Sequence, residues 1–375
     1  MDNMKFSPQE SYTPNRREFG KAAIAGALTG KALFSMAQNA EAKVVPLESG
    51  IKIAAQMSQN PSEEDIAFTK QLGVDYVCVW TRGKQTTYEN FRRIRKTYDD
   101  AGLKVWNIGN IDVHNMEEVT LNLPGRDRKV EEYLQYLRNI GKTGGIHYTT
   151  YAHMGNGIWS SGREVERGGA SARGFDMKDN PVGNWNGKKF TGPLTHGRKY
   201  TEKEIWDNYT YFIKKAAPVA EEQGIRIGIH PDDPPVAELG GVPRCIFSNF
   251  DGYKRAMEIA DSPNIGICLC VGCWLEGGKL MGRDVIDTIH YFGERKKIFK
   301  VHFRNTKTPL PHFVESFLDN GYQDMYLVMK ALKEVDFRGI IIADHVPRMA
   351  KNGGALGYSV GYMRALLERA NQEVG

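Results

Sequence analysis

The chain has 375 residues, 41% of them hydrophobic, which is enough to fill one large core or two domains. A net charge of +5, with no basic run interleaved with aromatics, leaves no footprint for nucleic acid. No stretch of ~20 uninterrupted apolar residues is present, so a membrane-spanning helix is not expected.

The first segment reads as an address rather than as structure. "NRREFGKAAIAGALTGKALFSMA" carries Arg16 and Arg17, then Phe19, Lys21 and a run of small apolar residues. "AEA" at Ala40 to Ala42 fits a small-x-small cleavage site. Together these resemble a twin-arginine export signal over residues 1–42. The expected mature chain is then a single catalytic domain, 43–375, delivered folded to the periplasm, with no membrane contact after cleavage. Without a working signal the protein stays in the cytoplasm.

Eight short apolar runs follow in chain order. They are "IKIAAQM" from Ile51, "VDYVCVW" from Val74, "LKVWNIG" from Leu103, "GIHYTTYA" from Gly145, "IRIGIH" from Ile225, "IGICLCVG" from Ile265, "IFKVHFRN" from Ile298 and "GIIIADH" from Gly339. Several are nearly continuous in β-branched and other apolar residues, as parallel strands buried on both faces are. Segments of helical period lie between them, among them "YENFRRIRKTYDDAG" and "EIWDNYTYFIKKAAPVAEEQG", and several end in glycine. Alternation repeated eight times is the pattern of a (β/α)8 TIM barrel. An open doubly wound sheet is the rival, weakened because no glycine-rich phosphate loop follows the first strand. From His153 to Tyr200 the chain is Gly-rich and polar. A connection this long is expected to be a loop insertion after strand 4, lying over the C-terminal face as a lid.

The ends of the last four strands carry the chemistry. Strand five ends in His230, followed by "PDDPP", in which proline stops the strand. Strand six ends near Cys270, strand seven carries His302, Arg304 and Asn305, and strand eight ends in Asp344 and His345. In a barrel these ends open on one face. Two imidazoles, a thiolate and a carboxylate are plausible ligands for a divalent cation. The five cysteines are an odd total, not a disulfide framework, and three of them crowd into "CLCVGC". Strand alternation puts Cys268 and Cys270 on one face. Cys270 is nearer the C-terminal end and is the better ligand, with Cys273 as the fallback.

"IKKAAPVAEEQGIRIGIHPDDPP", "GICLCVG", "KVHFRN", "NGYQDMYLVMKAL", "ADH" and "GYSVGYMRAL" resemble the mannonate dehydratase family, whose fold is a xylose-isomerase-like (β/α)8 barrel. The resemblance implies a divalent metal, Mn²⁺ first and Fe²⁺ second, held by His230, Cys270, His302 and Asp344. Ligand softness alone points a thiolate site toward Zn or Fe. It also implies acid–base roles for His345 and Tyr358, of unassigned order. Arg304 lies two residues from His302, on the same strand face, as a clamp for a sugar carboxylate or as half of a salt bridge. Asp232, Asp233 and Asn305 are candidate substrate contacts, and the two aspartates could equally fix His230 or shape their loop. The implied reaction is dehydration of D-mannonate, or a related sugar acid, to 2-keto-3-deoxy-D-gluconate in glucuronate catabolism, by a chain that could form a homo-oligomer.

The pattern departs from the family in places. Strand three reads "WNIGNIDVH", the segment after strand seven reads "FVESFLDNG", and Val346 stands where the family has glycine. These departures keep rivals in view: a sugar isomerase or epimerase, a lyase acting on a modified glycoside such as a 3-keto sugar, or an exported binding protein with a vestigial site.

Overall fold

The computed structural model describes residues 44–351 and 353–375. The expected export signal lies outside these residues. Eight parallel strands close into a barrel: β1 Lys52–Ser58, β2 Tyr76–Thr81, β3 Lys104–Asn110, β4 Tyr148–Tyr151, β5 Arg226–Ile229, β6 Ile265–Cys270, β7 Ile298–His302 and β8 Ile340–Ile342. Each strand pairs with its sequence neighbours, and β8 closes on β1 through Lys52 opposite Ile340. All eight apolar runs are therefore strands. β5, β6, β7 and β8 are buried along their whole lengths, which is why they read as continuous apolar runs rather than alternating ones.

A helix follows each strand: α1 Glu63–Gln71, α2 Tyr88–Asp100, α3 Arg126–Thr143, α4 Glu202–Gln223, α5 Phe250–Ala260, α6 Val285–Glu294, α7 Met325–Glu334 and α8 Gly354–Val374. The starts of the longer connections are set locally. Thr201 accepts from the Glu204 amide and Glu204 reaches back to Thr201, a capping box that launches α4. Gly224 ends α4 with φ 66°, the left-handed conformation that glycine adopts without steric cost. Phe212 of α4 packs on Tyr151 of β4 and Tyr133 of α3, and Tyr209 and Ala216 are buried in the same cluster, so helix and barrel share one core.

The long connection after β4 is not the irregular loop its composition suggested. It folds into short antiparallel strands. Ile158–Ser160, Val182–Trp185 and Lys188–Phe190 make one sheet. Gly162–Val165 and Ser171–Asp176 join His312–Ser316 and Asn305–Thr306 from the β7–α7 connection in a second. Phe175 stacks on Phe313 across this sheet with ring centroids 5.7 Å apart, and both are fully buried. The insertion thereby has its own small core and is fastened to the connection that follows His302.

Candidate metal centre

His230 stands just past β5, Cys270 ends β6, His302 ends β7, and Asp344 lies two residues past β8. Closure of the barrel brings these four sequence-distant residues together at its C-terminal end. His230 Nε2 is 3.2 Å from His302 Nδ1, and His302 Nδ1 is 3.3 Å from Asp344 Oδ1. Ligand atoms of Cys270, His302 and Asp344 all lie within 4.8 Å of one another, as do those of His230, Cys270 and Cys273. Cys270 belongs to both groups. Asp344 holds its place with φ 59°, a left-handed backbone unusual for a side chain other than glycine and of the kind that clusters at functional sites.

The hydrogen bonding around Cys270 distinguishes it from its neighbour. Burial works against its thiolate, but the Cys273 hydrogen bond and the Arg304 guanidinium hold the Cys270 thiol well below its ordinary value. Arg304 Nη2 lies against both sulfurs, 3.4 Å from Cys270 Sγ and 3.2 Å from Cys273 Sγ, while the Cys273 amide donates to Cys270 Sγ at 3.5 Å. Cys273 goes the other way, pushed up by burial and by Cys270 itself. Cys270 thus gives up its proton more readily than Cys273. Cys268 shares the inward face of β6 and lies 3.5 Å from His302 Nε2, beneath the cluster.

The donor set fits a divalent cation. Negative charge on Cys270, Asp344 and Glu315 pulls protons onto the imidazoles. Against its own burial, His302 is raised well above its usual range, mainly by Asp344, and His345 rises to about 9 through Asp344 and then Glu315. A dication among the same groups answers that charge while leaving the histidine nitrogens as ligands. The opposed ring nitrogens of His230 and His302, beside a carboxylate and a thiolate, offer four inward-facing donors of the types such an ion takes.

The remaining expected residues divide. His345 is at the cluster: its Nδ1 is 2.8 Å from Glu315 Oε1, and its side chain stays 42% exposed, open to a ligand. Arg304 is completely buried and is not free to clamp a substrate carboxylate. It bonds Glu315, reaches Glu276 at 3.0 Å, and lies 3.7 Å from Asp233 and 3.8 Å from Asp344. Asn305 is equally committed. Its amide donates to the Leu318 and Gln323 carbonyls and its oxygen accepts from the Thr306 amide, so it shapes the β7–α7 connection instead of meeting substrate. Neither carboxylate of the "PDDPP" loop bonds His230. Asp232, pushed up to about 6 by burial, lies 3.7 Å from Arg244, and Asp233 bonds Arg173 at 2.6 Å. Tyr358 donates to Asp319 at 2.5 Å and packs edge-on against Phe317; none of its contacts reaches the cluster.

Three residues that sequence reasoning missed complete the surroundings. Arg173, from the insertion, bonds Asp233, Glu276 at 3.0 Å and Glu315 at 2.8 Å. Glu276 is the lone charge in the buried turn "VGCWLEG" after β6, which was a signal available in the sequence, and burial with Asp233 nearby raises it far above the usual carboxylate range. Glu315 sat unmarked in "FVESFLDNG". Gly272 explains the glycine of "CVGC": a Cβ there collides with the Arg304 guanidinium.

The family model for D-mannonate dehydratase (UxuA) matches residues 78–368. The chain belongs to the mannonate dehydratase family. Mannonate dehydratase 2 of Halalkalibacterium halodurans is 31% identical over 297 residues, spanning 74% of this chain and 84% of the relative. The crystal structure of mannonate dehydratase from Streptococcus suis serotype 2 superposes with a TM-score of 0.74 at 25% identity, covering 87% of this chain and 97% of that one. An L-ribulose 3-epimerase superposes at 0.54 with 13% identity over 86% of this chain and 97% of that one, a likeness of fold alone. The barrel is therefore of the xylose-isomerase-like type, and its family places the chain among the carbon–oxygen hydro-lyases.

Proposed function

We propose that the protein dehydrates D-mannonate to 2-keto-3-deoxy-D-gluconate with a divalent cation, Mn²⁺ in the first instance, held by His230, Cys270, His302 and Asp344. The observation that carries this reading is the convergence of these donors, with the Cys270 thiol held well below its ordinary value, inside a family of mannonate dehydratases. When bound, such a cation supplies Lewis-acid stabilisation of the negative charge that gathers on the substrate as the proton α to its carboxylate leaves.

The chain's own groups account for the rest. Arg304 favours the thiolate form of Cys270 and is itself fixed by Glu276 and Glu315. His345, oriented by Glu315 and carrying a proton at neutral pH, is suited to deliver that proton from its ring to the departing hydroxyl. Tyr358, bonded to Asp319, remains the candidate for the second proton transfer on resemblance alone. The twin-arginine leader makes export to the periplasm part of the same proposal.

The test is incubation of purified protein with D-mannonate and Mn²⁺, with the products followed by proton NMR. Appearance of 2-keto-3-deoxygluconate, abolished by chelator and restored by Mn²⁺, supports the reading. A metal-loaded protein that leaves D-mannonate unchanged overturns it.

A further inference from the structure

The opposite end of the barrel carries a feature that the dehydratase chemistry does not use. A cavity of about 380 Å³ opens at the N-terminal mouth. Tyr76, Lys104, Tyr148 and Arg226, the first residues of β2, β3, β4 and β5, line it, and Phe299 and Trp106 supply apolar surface. Residues Val45 to Glu48 cross its edge before β1 begins.

Most charges here are matched. Lys104 pairs with Glu48 at 3.2 Å, and Arg95 with Asp99 at 3.1 Å. Arg226 is different. It is only 7% exposed, its Nη2 donates to the Val45 carbonyl at 2.5 Å, and its Nη1 has no partner among the described residues. Among the described residues no carboxylate forms a salt bridge with it, and its guanidinium lies over the Phe299 ring, 5.8 Å from the centroid. The indole Nε1 of Trp106, also in the cavity wall, is buried and unpartnered as well. Buried donors are nearly always satisfied, and a buried charge without a counter-ion is costly. At the end of a barrel that ordinarily serves stability alone, two orphan donors in one cavity of ligand size need a partner.

We infer that this cavity binds a small organic monocarboxylate with an apolar body. Its carboxylate would meet the unpaired Nη1 of Arg226, and its body would lie against Trp106 and Phe299. One uncompensated guanidinium matches one negative charge, and a carboxylate is the planar anion that an arginine edge recognises best. Apolar and aromatic walls favour a hydrocarbon or aromatic body over a polyol, so this ligand differs in kind from a sugar acid.

The test is calorimetric titration of the full chain with sodium benzoate and with benzamide, its neutral counterpart. Benzoate is expected to bind once per chain, and benzamide at least about tenfold more weakly, because the charge is lost. Arg226→Met should abolish benzoate binding, and Trp106→Phe, which keeps the ring and removes only the N–H, should weaken it several-fold. His302→Ala should leave it unchanged, since that residue stands at the other end of the barrel. Co-crystallisation of the wild-type protein with 4-bromobenzoate should put the anomalous bromine peak beside Trp106 and Phe299, a readout that does not require the Arg226 variant to fold. Absence of benzoate binding, equal binding of benzamide, loss of binding in His302→Ala, or a bromine peak elsewhere would each overturn the inference.

Discussion

Replacing Arg173 by methionine removes a cation that the insertion sends into the floor of the site. Arg173 contacts Asp233 at 2.6 Å and Glu315 at 2.8 Å, and its side chain is 12% exposed. At an effective dielectric of ~20, each contact is worth roughly 6 kcal/mol of attraction before the cost of desolvation is subtracted. Measured losses on removing one partner of a buried pair run at ~3–5 kcal/mol. Arg304 remains 3.7 Å from Asp233 and bonded to Glu315, which puts the expectation at the lower end, about 3 kcal/mol. Urea denaturation at neutral pH should show this as a lowered midpoint. Glu315 is held below the usual carboxylate range, despite its burial, by His345, Arg173 and Arg304. Its contribution is therefore present above that range and lost as the pH falls, so the gap between wild type and variant should narrow in acid. The double variant Arg173→Met, Glu315→Gln should be more stable than the sum of the single losses by over ~0.5 kcal/mol. An Arg173→Met loss under about 0.5 kcal/mol, with an additive cycle, would refute the view that Arg173 neutralises these acids.

Other outcomes follow from the same geometry. His345→Gln should lower kcat for D-mannonate by ~10²–10⁴-fold while leaving Mn²⁺ affinity near wild type, measured by steady-state kinetics and metal titration. Glu166, in the insertion, accepts from Ser316 at 2.5 Å and from Asn320 at 2.7 Å, and its carboxyl is lowered to about 2 because these bonds outweigh its burial. A depressed folded value stabilises above the unfolded one near 4.5 and is lost as the pH falls toward 2. Glu166→Gln should thus cost on the order of 3 kcal/mol at pH 7 in urea denaturation, with the difference closing as the medium is acidified through that window. Arg16→Lys together with Arg17→Lys should leave the protein in the cytoplasm, read by cell fractionation; unchanged export would remove the twin-arginine reading.

The barrel was legible because eight buried strands leave eight apolar runs, and a strand end is where such a run stops. The juxtaposition of His230, Cys270, His302 and Asp344 could be expected for that reason: each marks a stop, and closure places all stops on one rim. Asn305 misled because a buried amide that serves loop carbonyls has the same sequence signature as one that serves a ligand. For Arg304 the sequence left clamp and salt bridge open, and the structure shows the salt bridge, because its neighbours Glu276 and Glu315 are brought to it only by the tertiary fold. Arg173 was invisible for a further reason. Its strand, "SARGFD", alternates over a small satellite core of Phe175 and Phe313 rather than the main one, and so looked like irregular polar chain. Pairing across sheets, not local pattern, decides where such residues point.

The most direct test of the proposed centre is the absorption spectrum of metal-stripped protein titrated with Co²⁺, which reports whether a thiolate is a ligand and which one. The structure predicts a thiolate-to-cobalt charge-transfer band that saturates at one ion per chain, persists in Cys273→Ser and disappears in Cys270→Ser. D-mannonate dehydration should rise with the same stoichiometry as the band. A band that follows Cys273 instead, the absence of any band at full cobalt occupancy, or undiminished turnover by the metal-stripped protein would contradict a centre built on His230, Cys270, His302 and Asp344.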